Sequence, residues 1–210
     1  MIVRTIVVTE FMTNCYIVGE EKSRQCLVID PGGEADRILE RVAADGLEVR
    51  AILATHAHVD HIGAVSEIRE ATGAPVYLHS LELPIFQAAS RMARIFGIRV
   101  SQPADPDRFL AEGDVVSIDS AVSLTVVETP GHSPGGVSFV AGDGLCFAGD
   151  TLFAGSIGRT DLPGGSYRTL ISSIKNRLLP LGDHVKVLPG HGPATTLGAE
   201  RMYNPFLVGG

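Results

Sequence analysis

The six residues from His56 to His61 (H-A-H-V-D-H) constrain this chain more than any other stretch. They include three of its 7 histidines and one carboxylate. The apolar run 49–54 before them is typical of a buried strand, and the residues after Gly63 have the apolar spacing of a helix. The run therefore lies on a loop at a strand end, where protein scaffolds commonly carry function. Because imidazole and carboxylate groups bind zinc, iron and manganese, the sequence predicts a metal site here.

Three later segments also carry ligand-type residues, and each follows an apolar run that predicts a strand. They are Thr129–Gly135 (T-P-G-H-S-P-G), Phe147–Thr151 (F-A-G-D-T) and Pro189–Gly192 (P-G-H-G). With the first run, these segments resemble, in the same order, the four motifs of the metallo-β-lactamase superfamily. The resemblance covers most of the chain. It implies an α/β fold, the αβ/βα four-layer sandwich of that family, with the metal residues at one edge.

The resemblance also implies that seven residues bind two divalent metal ions. One set of three binds the first ion, a second set of three binds the other, and one aspartate bridges them: His56, His58 and His132; Asp60, His61 and His191; and Asp150. Among these ligands we expect Asp60 and His58 to be catalytic. Zinc is the expected metal, and iron and manganese are alternatives because they accept the same nitrogen and oxygen ligands.

A centre of this kind implies hydrolysis by a metal-bridging hydroxide, without a serine or cysteine nucleophile. A thiolate leaves readily, so we expect a small-molecule thioester substrate. Segments 129–136, 156–161 (S-I-G-R-T-D) and 189–193 are most similar to the small glyoxalase II-like hydrolases, which act on hydroxyacylglutathione. Full-length glyoxalase II continues into a helical domain that completes its glutathione site, whereas this sequence ends at Gly210. The thiol part of the substrate is therefore left open.

Arg159 is the expected substrate-binding residue. It lies in a glycine-rich loop shortly after Asp150, and the corresponding loop of glyoxalase II-like enzymes helps to hold glutathione. We expect its guanidinium to bind an anionic part of the thioester. The alternative is a salt bridge to Asp161 that holds the loop in place.

A second function fits the same motifs. Persulfide dioxygenases of this fold share the first motif and a G-R-T-D loop, and they use a single iron, here bound by His56, His132 and Asp150. The segment 190–193 (G-H-G-P) favours the hydrolase. A β-lactamase and a ribonuclease are less well supported, because no secretion leader is seen and the net charge is −7. A structural metal site needs only four ligands, fewer than the seven here.

Length and composition set broad limits. The 210 residues suit one domain, 1–210, and the net charge of −7 argues against binding to nucleic acid. Without a leader or an apolar run near twenty residues, we expect no membrane attachment and a cytoplasmic location. Cys15, Cys26 and Cys146 lack C-x-x-C spacing and are expected to be buried thiols. The oligomeric state is left open.

Apolar periodicity predicts the remaining elements. Strands are expected at 2–8, 15–18, 25–29, 49–54, 75–78, 115–118, 124–127, 137–141, 145–148 and 185–188. Helices are expected at 34–45, 64–72 and 80–87, and after an N-cap at Ser166. Thr13-Asn14 predicts a turn, and Asp143-Gly144 predicts a two-residue hairpin turn.

Three further positions have two readings each. Asp30, in D-P-G-G, either forms a turn through its own backbone or orients the loop that carries His56–His61, hereafter the metal loop. His79 is expected to be a cap or a neighbour of the site rather than a ligand. Residues 91–99 form either a lid or pocket edge, or simple core packing.

Overall fold

The computed structural model describes residues 1–118, 122–142 and 144–208. The chain divides into two compact units, Met1–Leu110 with Ser117–Ser123, and Ala111–Val116 with Leu124–Gly210. The single domain expected for 1–210 stays a prediction. No helix in the described ranges is long and apolar enough to cross a membrane.

The first unit contains a six-stranded sheet whose strands lie in chain order. They are β1 (Ile2–Val8), β2 (Thr13–Gly19), β3 (Gln25–Ile29), β4 (Glu48–Leu53), β5 (Val76–His79) and β6 (Arg108–Leu110). Strands β1, β2 and β3 pair antiparallel, whereas β3, β4, β5 and β6 pair parallel. Parallel strands are usually covered on both faces, which explains the buried apolar runs at 26–29 in β3 and 51–53 in β4.

The helices of the first unit are α1 (Ala35–Ala44), α2 (Val59–Ile62), α3 (Val65–Thr72), α4 (Leu83–Phe86) and α5 (Ala89–Ile95). A 3₁₀ turn at Ser80–Glu82 precedes α4. Ile38 of α1 and Ile68 of α3 belong to one buried cluster with Ile52 of β4. The apolar stripes of α1 and α3 therefore pack against the sheet, as their spacing predicts.

The second unit contains most of the second sheet and three helices. Its strands and small hairpin are β7 (Val115–Ile118), β8 (Val122–Glu128), β9 (Val137–Ala141), β10 (Leu145–Gly149), β11 (Leu152–Phe153), β12 (Ser156–Ile157), β13 (Lys186–Pro189) and β14 (Thr195–Thr196). The sheet order is β14-β13-β10-β9-β8-β7, and β11 pairs with β12. Helices α6 (Tyr167–Ser173), α7 (Leu197–Tyr203) and α8 (Pro205–Val208) complete the unit. A π-helix at Ile174–Leu178 and a 3₁₀ turn at Leu179–Leu181 extend α6.

Apart from the helix at 80–87, the predicted strands and helices are confirmed within a few residues, and Ser166 caps α6 by accepting the N–H of Thr169. Strands β9 and β10 pair antiparallel, as the predicted hairpin requires. Asp143 of that predicted turn lies outside the described residues. Cys15, Cys26 and Cys146 are free and buried.

Two predictions of local structure are wrong. Thr13 and Asn14 do not form a turn, because they pair with Val8 and Val7 in the β1–β2 ladder. The turn comes earlier, where Thr9 has a φ of 61° and Met12 a φ of 57°. The helix predicted for 80–87 is broken into the 3₁₀ turn and α4, with a proline in the first turn of α4.

Residues 91–99 take part in both structures that the sequence left open. Helix α5 packs through the buried Ala89 and Ala93. Beyond its end, Ile98 and Arg99 line one edge of a surface cavity of about 580 Å³. The segment is therefore a packed helix followed by a pocket edge.

Candidate metal centre

In the first unit, parallel strands end at one edge of the sheet. Asp30 follows β3 and the run His56–His61 follows β4. Because parallel strands bring their carboxyl ends to the same edge, residues far apart in sequence become neighbours there. The ring of His56 lies 4.8 Å from that of His58 and 4.1 Å from that of His61. These histidines form one cluster, as predicted.

Asp30 is buried and holds the loop that carries these histidines. Its Oδ1 accepts the backbone N–H of Thr55 at 2.7 Å, and its Oδ2 accepts the Thr55 hydroxyl at 2.7 Å. The Nδ1 of His61 lies 3.0 Å from the same Oδ2. Of the two roles left open for Asp30, orienting the metal loop is confirmed. Its φ of 51° also gives it a turn conformation.

These hydrogen bonds fix which ring nitrogen His56 and His61 offer. A carboxylate only accepts, so Nδ1–H of His61 donates to Asp30 and its Nε2 keeps a lone pair. Thr55 Oγ1 donates to Asp30 and lies 3.0 Å from Nδ1 of His56, so it accepts from that ring. Metal-binding histidines commonly have such partners on the other nitrogen. The Nε2 of His61 lies 3.5 Å from Oδ2 of Asp60.

The second unit places its three ligand-type residues in the same way. Strands β8 and β10 both pair antiparallel to β9, and β13 pairs parallel to β10. Strands β8, β10 and β13 therefore run in one direction and end at one edge. His132 lies in the loop after β8, Asp150 follows β10, and His191 lies just after β13.

Asp150 lies between the two histidines of the second unit. Its Oδ2 is 3.6 Å from Nε2 of His132 and 3.6 Å from Nε2 of His191. The Nδ1–H of His132 donates to the backbone carbonyl of Arg159 at 2.8 Å. That bond leaves Nε2 of His132 as the ring nitrogen facing the carboxylate.

These spacings fit metal binding. Nitrogen–oxygen distances of 3.5 and 3.6 Å exceed the usual 2.7–3.2 Å of a hydrogen bond. Two ligands about 2.0–2.1 Å from a tetrahedral ion lie roughly 3.4 Å apart. Unprotonated imidazole nitrogens and carboxylate oxygens also suit zinc, iron or manganese. Within each unit, the residues present therefore fit a metal ion.

A glycine lies against the backbone of each predicted acidic ligand. A Cβ on Gly32 would lie 1.7 Å from the carbonyl oxygen of Asp60, and a Cβ on Gly158 would lie 1.9 Å from that of Asp150. No side chain fits at either distance. Both contacts therefore require glycine, and both fix the position of a ligand's backbone.

Arg159 makes an ion pair beside His132. Its Nε is 2.8 Å from Oδ1 of Asp161, and a second guanidinium nitrogen is 2.7 Å from Oδ2. This hydrogen-bonded pair lowers the pKa of Asp161 to about 2. The side chains of Arg159 and Asp161 are 59% and 67% exposed. The alternative role foreseen for Arg159, a salt bridge within its loop, is present in the structure.

Sequence reasoning missed one buried carboxylate near this site. Glu82 is fully buried, and its Oε2 accepts the backbone N–H of Ala57 at 2.9 Å. An acidic residue within the apolar stretch 81–86 (L-E-L-P-I-F) is the signal that could have found it. His79 is confirmed as a cap, because its Nδ1 accepts the N–H of Leu81.

Comparison with known proteins identifies the class. Residues 8–191 match the model of the metallo-beta-lactamase superfamily. The chain belongs to this superfamily, has its fold, and is a metal-dependent hydrolase of that class with histidine and aspartate groups suited to metal.

The similar relatives include proteins whose names describe an activity. The chain is 38% identical to the hydroxyacylglutathione hydrolase GloC of Haemophilus influenzae, over 99% of this chain and 98% of that one. It is 47% identical to the probable metallo-hydrolase YqgX of Bacillus subtilis, over 88% of each chain.

Three solved structures are also similar. The B3 metallo-beta-lactamase BLEG-1 has a TM-score of 0.91 and 38% identity, covering 99% of this chain and 100% of that one. TTHA1623, solved in a di-iron-bound form, has a TM-score of 0.88 and 43% identity, covering 97% and 100%. ETHE1 from Myxococcus xanthus has a TM-score of 0.82 and 30% identity, covering 98% and 84%.

Proposed function

We propose that the protein is a thioester hydrolase of the hydroxyacylglutathione type that holds two divalent metal ions. Zinc is the expected metal, and iron and manganese are the alternatives. The observation that carries the proposal is the position of Asp150. One of its oxygens lies 3.6 Å from His132 and 3.6 Å from His191, which belong to different predicted ligand sets. A carboxylate beside one histidine of each set is what a bridging ligand requires. The 38% identity to GloC supports the thioester substrate.

The seven ligands of the proposal are those of the four sequence motifs: His56, His58, Asp60, His61, His132, Asp150 and His191. When bound, two such ions activate water near neutral pH and polarise the carbonyl group of the substrate. The chain's own part is to hold imidazole Nε2 atoms and carboxylates in fixed positions. Asp30 and the Arg159 carbonyl do so by fixing the tautomers of His61 and His132.

Metal analysis joined to a ligand variant tests this proposal. We expect about two metal ions per chain, and hydrolysis of S-D-lactoylglutathione. Asp60→Ala should keep the fold, retain about one ion, and lose activity on the order of 10²–10³-fold, because a charged ligand is lost beside His61. A single iron per chain, with oxygen uptake on a persulfide, would contradict the hydrolase. Unchanged activity of the Asp60 variant would contradict the two-metal mechanism.

We also propose that Arg159 binds an anionic group of the thioester. Its support is an exposed guanidinium on the residue whose backbone carbonyl accepts the Nδ1–H of His132. Arg159→Ala should raise KM for S-D-lactoylglutathione roughly 10–100-fold, the effect of one charged hydrogen bond, and leave a small neutral thioester nearly unaffected. Asp161→Asn is the matched control, because it frees Arg159 while weakening the loop. Equal losses in both variants on both substrates would show that the pair only holds the loop.

The Arg159→Ala variant also tests whether the ion pair sets the pKa of Asp161. Because the folded pKa of Asp161 is lowered to about 2, the pair stabilises the fold above about pH 4 and stops doing so as the pH falls toward 2. In Arg159→Ala, the pKa of Asp161 followed by NMR should return toward about 3.9. A pKa that stays near 2 would assign the shift to another group.

The remaining parts of the proposal are a small-molecule substrate and a cytoplasmic location. The location is supported by the three cysteines, which are free and buried. Burial raises the pKa of Cys26 and Cys146 to about 12. These groups therefore stay protonated near neutral pH, as expected of thiols that pack in the core rather than react.

A further inference from the structure

Glu82 and Asp30 contact the metal loop from segments that follow two different strands, β5 and β3. In the sheet order β3-β4-β5, the loop that follows β4 has Asp30 after one neighbouring strand and Glu82 shortly after the other. Asp30 accepts the backbone N–H of Thr55, and Glu82 accepts that of Ala57. Two buried carboxylates thus hold alternate amide groups of one short loop.

The amide that Glu82 holds lies between two proposed ligands. Ala57 is flanked by His56 and His58, and the hydrogen bond from its N–H to Oε2 of Glu82 is 2.9 Å long. The ladder of β4 ends at Leu53, so sheet pairing does not hold the backbone at Ala57. Fixing this amide fixes the peptide plane between His56 and Ala57, which adjoins the Cα of His56 and lies one residue before His58.

Burying the carboxylate of Glu82 also costs desolvation free energy. Its exposed fraction is 0%, and a carboxylate away from water is tolerated only where hydrogen bonds offset its desolvation. A backbone N–H donated to a carboxylate is one of the stronger hydrogen bonds in proteins. The 3₁₀ turn that carries Glu82 is itself fixed, because His79 caps it through the N–H of Leu81.

We propose that Glu82 is a positioning residue, which presets the backbone between His56 and His58 for metal binding. The inference rests on the metal centre proposed above. Glu82 acts through Ala57, and its part is that of a hydrogen-bond acceptor. Its loss should therefore weaken metal binding about 10–100-fold, the usual range for residues that support metal ligands.

Two variants of Glu82 separate the acceptor from the volume it fills. Gln keeps an acceptor oxygen at the same place, whereas Met has a similar volume and no comparable acceptor. In competition with a chromophoric chelator, metal-free Glu82→Gln should bind Zn²⁺ within a few-fold of the unaltered protein, and Glu82→Met about 10–100-fold more weakly. Amide exchange at Ala57 in the metal-free protein should be faster in Glu82→Met alone.

Asp107, just before β6, offers a matched control because it also accepts a backbone N–H. Its Oδ2 accepts the N–H of Val76 at 2.8 Å, at the opposite end of β5 from the metal loop. Asp107→Ala removes this carboxylate–backbone bond together with an ion pair to Arg69, and should lower the melting temperature while leaving Zn²⁺ affinity unchanged. The control thus separates loss of stability from loss of positioning.

Three outcomes would overturn the role of Glu82. They are unchanged Zn²⁺ affinity in Glu82→Met, a Glu82→Gln variant as weak as Glu82→Met, and an Asp107→Ala variant as weak as Glu82→Met. If the unaltered protein binds no Zn²⁺, iron or manganese, the proposed metal centre fails and this inference fails with it. Absence of metal binding by the unaltered protein would thus mark failure of the metal centre, whereas one of the first three outcomes would mark failure of the role of Glu82 alone.

Discussion

Asp150→Asn is expected to remove nearly all hydrolytic activity and most of the bound metal. The amide keeps the shape of the carboxylate, but it carries no charge and its nitrogen cannot bind a cation. Because Oδ2 of Asp150 lies 3.6 Å from both His132 and His191, one substitution would weaken both metal positions. Removing a single charge-stabilising group typically costs about 10²–10³-fold, so we expect a loss on the order of 10³-fold or more. Turnover of S-D-lactoylglutathione and elemental analysis measure the two effects.

Asp183→Asn is the matched control for Asp150. Asp183 lies in the same unit, but its side chain is 67% exposed and pairs with Arg201. An exposed ion pair of this kind contributes little to stability, and no proposed ligand is involved. Activity and metal content should stay unchanged. Two ions per chain and full activity in Asp150→Asn would refute the bridging role.

Gly158→Ala is expected to disturb the metal centre without touching a ligand. The new Cβ would lie 1.9 Å from the carbonyl oxygen of Asp150 and 3.2 Å from Cβ of His132. Since the first contact is with backbone, the chain at Asp150 must move. Overpacking of this kind costs about 1–3 kcal/mol. For a chain of this size that lowers the melting temperature by roughly 2–12 °C.

Gly142→Ala makes the comparison for Gly158. A Cβ on Gly142 would meet nothing within 4 Å, so its effect should stay within about 0.5 kcal/mol. In Gly158→Ala, both metal affinity and melting temperature should fall, because the carbonyl belongs to a ligand residue. Equal melting temperatures and equal metal affinities in the two variants would show that Asp150 does not depend on this contact.

The two units use similar means to hold their proposed acidic ligands. Asp60 and Asp150 each have a glycine against their backbone carbonyl, Gly32 and Gly158. Each unit also has a histidine whose Nδ1 is held by a protein oxygen, from Asp30 in one case and Arg159 in the other. The ligand positions are therefore set by backbone packing and hydrogen bonds that exist without an ion.

Local patterns were enough for much of this protein. The predicted strands before His56, His132, Asp150 and His191 are all present, because apolar periodicity and turn residues act over a few neighbouring positions. The exceptions are also informative. Thr13 and Asn14 suit a turn by residue type, yet they are the first two residues of β2 and pair with β1. The turn lies before them, where Thr9 and Met12 have left-handed backbone conformations.

The sequence by itself determined the family and predicted the proposed ligands and the loops that carry them, since each motif lies within a few consecutive residues. The tertiary structure alone decided which groups support them. Asp30 and Glu82 are 52 positions apart in sequence and hold one loop because β3 and β5 flank β4. Strand order and register set such contacts between distant residues, and no local pattern records them.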